Sequence, residues 1–405
     1  MAGNNCLTVV TCLFDLKSRN DNTPNIRGMD FYFEHGEWIL SLNVNLVVWC
    51  DPKLAQRIIQ RRKQCGFEKK TVVISIPFEL LKYYSILKDK LASDKNSLQP
   101  ARSGDLSEKI ETNKFPDGGG VDNKETKKIK KVVAVNDDWR YIVMTWNKVY
   151  CMFQTLNIAP FKSTHYMWID FGLFYVANPR KNFTTLRKIC NDFPSKFRSM
   201  FIHDVSPTEI ANRSIYYSTP RYKMAGGFYI APYDIMVKFV NAFNIELNNM
   251  FKSGWYTLEE NIFGVIYAEN RSWFDPYYGD YENIIGSYFK CQSRVSTLFK
   301  NLTYCRSFNM HQISLKITED MEKAYSEGLL NMNEHDVFGM YDEMFIAAFF
   351  TNNREKAKHA GEKIIEILND GSEIVRGRID SRLKKNLSLV GLTIDSKLEL
   401  SSTNQ

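Results

Sequence analysis

Leu7-Thr-Val-Val-Thr-Cys-Leu-Phe14 is a short run of apolar and β-branched residues, closed by Asp15 and a polar loop. Such a run has no alternation of apolar and polar positions, which predicts a strand buried on both faces and so a parallel sheet covered by helices. The chain beyond it keeps that rhythm. A second run, Leu42 to Trp49, ends at Asp51-Pro52, and Asp at the N-cap with Pro at the first helical position starts a helix. Leu54, Ala55, Ile58 and Ile59 give that helix an apolar side, with Arg57, Arg61 and Arg62 assigned nearer the other. Thr71-Val-Val-Ile-Ser-Ile76 is a third strand, closed by Pro77, and Leu80, Tyr84, Leu87 and Leu91 space out a second helix. Strands alternating with helices predict the α/β class.

From Ser93 to Lys131 the pattern stops. Gly118-Gly-Gly120, mixed charges and a scarcity of large apolar residues predict a disordered insertion at 93–131. Its basic stretch Lys124–Lys131 is a solvated loop end or a polyanion patch. Order returns with Asn136-Asp-Asp-Trp139 as a cap, before an apolar stripe at Trp139, Ile142, Val143, Trp146, Tyr150 and Phe153. Thr164-His-Tyr-Met-Trp-Ile-Asp170 is a strand with a carboxylate at its C-terminal end. Met224 to Ile230 is another, followed by a long helix through Ile235, Phe239, Phe243 and Leu247. A shorter helix starts at Thr257. Beyond Lys290 the chain reads as helical, with a hairpin turn in Ala347–Ala357 and a charged helix around Arg376–Lys384. The expected organisation is a main domain over 1–290 interrupted at 93–131, a helical region over 291–390 and a polar tail over 391–405.

Composition narrows the function classes. The chain has 405 residues, 44% of them hydrophobic and 24% charged, which excludes a disordered or collagen-like chain. No apolar run reaches the roughly 18 residues of a membrane span; the best, Trp38 to Cys50, is broken by Ser41, Asn43 and Asn45. With no secretory pattern at the N-terminus and eight cysteines without a CxxC pair, a reducing, cytoplasmic location is expected. The net charge of +7 suits an anionic ligand such as a nucleotide diphosphate, and no nucleic-acid-binding signature is present. No G-x-S-x-G, P-loop or G-x-G-x-x-G occurs, and the six histidines lack metal-site spacing. His311 is a lone ligand folded back on the site or an ordinary histidine.

The candidate chemistry sits at strand ends and helix starts. Asp170, at a strand's carboxyl end before Phe171-Gly172, either holds a divalent metal or a sugar hydroxyl, or caps the next turn. Glu259 and Glu260 supply a general base or an electrostatic stabiliser, or else Thr257-Leu-Glu-Glu260 is a capping box. Gly226-Gly227 permits close backbone approach to a ligand, or is a turn. Lys148 lies off its helix's apolar stripe and meets a phosphate, or is solvated.

In this order, the segments resemble the HtrL/YibB (WlaTC/HtrL) family of predicted glycosyltransferases. The resemblance runs through Thr8–Asp15, Trp146-Asn-Lys148, Asn157–Phe161, Tyr166–Gly172, Ala225–Phe228, Glu259-Glu-Asn261 and Trp273–Tyr281, over roughly residues 7–90 and 132–310. It implies a GT-A-like fold, a nucleotide-sugar-binding sheet flanked by helices with an α-helical C-terminal region. It also implies transfer of a sugar from a UDP- or GDP-sugar donor to a glycan or other hydroxyl acceptor, with Mn²⁺ or Mg²⁺ on the diphosphate. On that likeness Asp170 is the metal carboxylate, Thr11, Phe14 and Asp15 line the nucleotide pocket, and Lys148 lies near the donor. Gly226, Gly227 and Glu260 flank the acceptor side, with Glu260 as base. The family's D-x-D pair is represented by one Asp, and Asn261 stands where Gln is common. The alternative is a non-catalytic carbohydrate- or protein-binding module on the same fold.

The rings are unevenly spread: residues 139–175 hold 11 aromatics and residues 216–289 hold 20, together 31 of the 55 in the chain. Both stretches carry candidate site residues, and a flat aromatic face stacks well on a pyranose.

Overall fold

Helices separate the expected strands along the chain, and the apolar residues of those strands gather into one sheet. The computed structural model describes residues 6–16, 28–93, 139–218, 221–370 and 381–393. Its strands are β1 (Leu7–Leu13), β2 (Asn45–Cys50), β3 (Thr71–Ser75), β4 (His165–Ile169), β5 (Phe197–Phe201), β6 (Met224–Pro232) and β7 (Phe274–Tyr278), in the order β3-β2-β1-β4-β6-β5-β7. The helices that bear on the site are α1 (Met29–Leu40), α2 (Pro52–Gln64), α3 (Lys82–Ser93), α4 (Trp139–Ile158), α5 (Pro179–Ile189), the short α6 (Pro207–Ile210) and α7 (Arg213–Tyr217), α8 (Tyr233–Lys252) and α9 (Glu259–Glu269).

The pairs β1–β2, β2–β3 and β1–β4 are parallel, as the unbroken apolar runs require. Val9, Val10, Leu46, Val47, Val48, Met167, Trp168 and Ile169 are accordingly all buried. The pair β4–β6 is antiparallel, which departs from a purely parallel sheet. The chain moves outward from β1 to β2 and β3, then returns to place β4 on the other side of β1. That reversal makes the carboxyl ends of β1 and β4 a topological switch point, where open α/β sheets leave a crevice for ligands.

Several local expectations shift register. Arg62 is fully buried, because Leu54, Ile58 and Arg62 follow one another at four-residue steps along the inner face of α2. Its guanidinium satisfies the carbonyls of Leu40, Leu42 and Val44 at 2.9, 2.6 and 2.9 Å. Leu80 is exposed, and Leu81, Tyr83 and Leu87 supply the buried contacts of α3 and the turn before it. Asp51 is the N-cap position of α2, but its carboxylate accepts the backbone N–H of Asp15 at 2.7 Å and makes no cap bond. The insertion read at 93–131 lies outside the described residues beyond Ser93. So do the Asn136–Asp138 cap, the basic stretch Lys124–Lys131, residues 376–380 of the charged helix and all but the start of the polar tail.

The chain divides into two compact units, one of residues 1–199 and 207–276 and one of residues 200–206 and 277–405. In the second unit, helices at Val295–Ser307, His311–Ser326, Glu334–Phe350, Arg354–Asp370 and Ser381–Leu389 follow one another. The turn expected in Ala347–Ala357 joins two of them, with Asn352 at φ +56° closing it. His311 begins one helix of this unit and stacks on Phe350, ring centroids 4.4 Å apart. Among the described residues no helix is long and apolar enough to cross a membrane.

Candidate functional site

Side chains alternate along a strand, so Trp168 and Asp170 share one face of the sheet at the C-terminal end of β4. The Trp168 indole N–H donates to Asp170 Oδ1 at 2.8 Å. The second oxygen, Oδ2, accepts from Lys148 Nζ at 3.0 Å, and the same ammonium donates to Glu259 Oε1 at 2.9 Å. Lys148 is therefore a bridge between a strand end and a helix start. Its side chain is 11% exposed, against 34% for Asp170 and 3% for Glu259. Burial alone would lower the Lys148 pKa, but Asp170 and Glu259 more than offset it, and the group sits well above the ordinary lysine value. It stays charged at every physiological pH.

The neighbouring carboxylate has a different task. Glu260 Oε1 accepts the backbone N–H of Gly226 at 2.9 Å, fixing the first residues of β6 against α9. The next residue, Gly227, gives its carbonyl to the Asp170 N–H at 2.9 Å. The double glycine is thus strand, not turn, and its backbone links both acidic positions. Gly226 has no space for more: a Cβ there would lie 2.5 Å from Glu259 Oε1 and 3.3 Å from Glu260 Cγ. The capping box does not form. Leu258 is the N-cap of α9 without a side-chain cap bond, and the Thr257 hydroxyl is buried without a partner.

Asp170, Lys148, Glu259, Glu260 and the Gly226-Gly227 backbone are therefore brought together, whereas the positions on β1 are placed apart in role. Thr11 is fully buried, and its hydroxyl has no hydrogen-bond partner. Phe14 is 5% exposed and packs on Phe78, ring centroids 5.8 Å apart. Asp15 pairs with Lys53 at 2.5 Å beyond the end of β1. Three residues escaped the sequence reading. Trp168 orients Asp170, and period-two spacing would have found it. Tyr229 is stacked on Trp168, and burial, reinforced by Asp170 and Glu259 and opposed by Lys148, raises its pKa, while its hydroxyl has no partner. Tyr141, two turns before Lys148 on α4, is 36% exposed.

One ammonium bridges two carboxylates here, and Glu260 adds a third next in the chain to Glu259, so the cluster is acidic on balance. It does not match a divalent-ion site. Both oxygens of Asp170 already accept hydrogen bonds, one of them from a fixed cation. Among the described residues no group of three His, Cys, Asp or Glu side chains is placed to hold a metal ion. The residues present do not fit Mn²⁺ or Mg²⁺.

Comparison with known families gives a match to the N-terminal part of the chain. The family described as "Bacterial protein of unknown function (HtrL_YibB)" matches residues 5–118. That stretch holds β1, β2 and β3 with α1, α2 and α3. The match leaves Lys148, Asp170 and the glutamates to be read from geometry alone. No curated protein and no solved structure matches the chain.

Proposed function

We propose that the protein is a nucleotide-sugar-dependent glycosyltransferase whose reaction centre is the edge of Asp170. The observation that carries this reading is an acidic cluster, pinned by Lys148, at the carboxyl end of β4 beside the switch point. As the anomeric C–O bond breaks, its electron pair leaves with the nucleoside diphosphate and the sugar carbon becomes oxocarbenium-like. A preorganised excess of carboxylate is suited to that positive charge. Asp170 is the most exposed member of the charged trio, which makes it the group that meets substrate. The acceptor oxygen forms the new bond, and its proton passes to water. Lys148 holds the carboxylates in place and keeps its own proton. Glu260 acts as a positioning residue for Gly226, in a different role from the base implied by the resemblance.

A specific observation favours the second reading, a sugar- or protein-binding module without turnover. Glu259 and Glu260 are both buried and already engaged, so neither is free to accept a proton. Release of nucleoside diphosphate separates the two. Wild-type protein incubated with UDP- and GDP-sugars and a mixed glycan pool should release UDP or GDP, equally in Mn²⁺ and in EDTA. Asp170→Asn should lose roughly 100-fold of that rate while keeping its melting temperature within a few degrees. A donor-induced melting shift without release would establish the module. Neither shift nor release with any donor would sink the transferase.

A further inference from the structure

Four rings gather where the chain leaves β1 and β4. The Tyr32 ring, in the first turn of α1, lies against Gly172, where a Cβ would stand 2.8 Å from it. Phe31 is beside it, ring centroids 5.8 Å apart, and its ring is also 5.8 Å from that of Tyr175. His35, one turn on, is 4.4 Å from Phe31 and 6.4 Å from Tyr175. Phe31 thus meets all three of the others, and the rings form one patch. The helix α1 follows β1 and the short turn Leu173–Tyr175 follows β4, so the patch straddles the switch point. It is continuous with the candidate site, because Tyr32 covers the second residue after Asp170.

The core does not consume these rings. Phe33, Phe171 and Phe174 are buried beneath them, whereas Tyr175 is 47% exposed and Phe31, Tyr32 and His35 are half-buried. Three of the four carry a polar edge. His35 Nδ1 donates to the Phe31 carbonyl at 2.9 Å, since a carbonyl can only accept, and Nε2 has no partner among the described residues. The charges nearby are paired or turned outward. Asp30 pairs with Arg57 at 2.8 Å and Glu37 with Arg61 at 3.6 Å, while Glu34, Arg180 and Lys181 are exposed. Lys148, the buried cation on Asp170, is held by two carboxylates. None of these is a buried cation open to a phosphate, so the patch suits a neutral ring better than a nucleotide.

Spacing decides which ring. From Asp170 onward the chain coils tightly: the N–H groups of Leu173, Tyr175 and Val176 donate to the carbonyls of Asp170, Gly172 and Leu173 at 2.9, 3.0 and 3.0 Å. Such a coil rises roughly 2 Å per residue, which sets Tyr175 roughly 10 Å from Asp170. That is too far for the sugar whose bond is being made, and it suits the next one along. We propose that Tyr175, Phe31, Tyr32 and His35 form a platform for the second sugar of an oligosaccharide acceptor, a role that rests on the transferase reading. The flat C–H face of a pyranose lies on the rings, and a hydroxyl at its edge donates to His35 Nε2.

The probes are maltose, cellobiose and lactose at millimolar concentration, with methyl glucopyranoside as the one-ring control, read by saturation-transfer NMR on the full chain. At least one disaccharide should be saturated, one of its rings more than the other, and methyl glucopyranoside several-fold less. Tyr175→Ala should lose about fivefold of the signal while melting within a few degrees of wild type, and Tyr175→Phe should keep most of it. Phe193→Ala removes a ring that is 45% exposed beside the start of β1, at the opposite end of the sheet, and should change nothing. Binding by Tyr175→Ala equal to wild type, an equal loss in Phe193→Ala, or no binding by wild type overturns the platform. UMP or GMP saturated in place of the sugars, and lost in Tyr175→Ala, makes it a base site and overturns it as well. Nucleoside diphosphate release is scored separately. Disaccharide binding that depends on Tyr175 without release keeps the platform and discards the transferase; release without such binding does the reverse.

Discussion

A Cβ on Gly226 would stand 2.5 Å from Oε1 of Glu259, the oxygen that Lys148 grips from the other side. The glycine is therefore required by the carboxylate. Glu259 cannot retreat, since its side chain is 3% exposed and bonded to a buried ammonium. The backbone of β6 and the first turn of α9 are closed against each other with no slack for a methyl group.

Gly226→Ala should accordingly destabilise the protein by about 1–3 kcal/mol, the usual cost of overpacking. A urea titration followed by circular dichroism measures it. An unchanged midpoint would mean that Glu259 swings aside freely, and the rigid closure would be wrong.

Lys148→Met should cost more, about 3–5 kcal/mol, because it strands Glu259 in the interior without a counter-charge. Adding Glu259→Gln should restore much of the loss, since the double variant buries no unpaired charge. The folded Lys148 pKa lies above the unfolded one, so its stabilisation is complete below the unfolded value and fades as pH rises through the folded value. The gap between wild type and Lys148→Met should thus hold steady from neutral pH to about 10 and close only above it. A gap that closes by pH 8 contradicts the charge bridge.

Asp280, in the second unit, makes the opposite pH prediction. It is 3% exposed and accepts from Ser293 Oγ at 2.9 Å, from the Arg294 N–H at 2.8 Å and from Asn283 Nδ2 at 2.9 Å. Burial would raise its pKa, but those hydrogen bonds and the Arg294 charge hold it below the ordinary carboxylate value. The contribution is present above the unfolded value and lost as pH falls through the folded one. Asp280→Asn should cost about 1–3 kcal/mol at pH 7. Its deficit should shrink only below about pH 4, measured by denaturant titrations at stepped pH. A deficit that is constant down to pH 2 would assign the loss to shape and not to charge.

The strands were legible because burial on both faces leaves a continuous apolar run, as at Leu7–Phe14 and Thr71–Ile76. Asp170 was legible because a carboxylate after such a run has nowhere to go but the sheet edge. The features that escaped depend on partners distant in sequence. Nothing local distinguishes the capping pattern at Thr257–Glu260 from two glutamates drawn inward by Gly226 and Lys148, since those partners lie 34 and 111 residues away. The antiparallel direction of β6 is likewise a property of its pairing with β4 and not of its composition. Arg62 was misplaced for another reason. Its spacing from Leu54 and Ile58 put it on the inner face, but its charge argued for solvent, and the three carbonyls that repay its burial are 18 to 22 residues back.

Gly36 lies in α1, far along the chain from Asp170, yet a Cβ there would collide with the ring of Phe171, the residue after that carboxylate. Tyr32, one turn earlier, covers Gly172 so closely that a Cβ would lie 2.8 Å from its ring. The outer helix and the strand-end tripeptide are therefore cut to one another's outline. In a genetic screen for lost function, position 36 would behave like a site residue: intolerant of the smallest enlargement, because the insult would be delivered to Asp170 through a ring that has nowhere to turn.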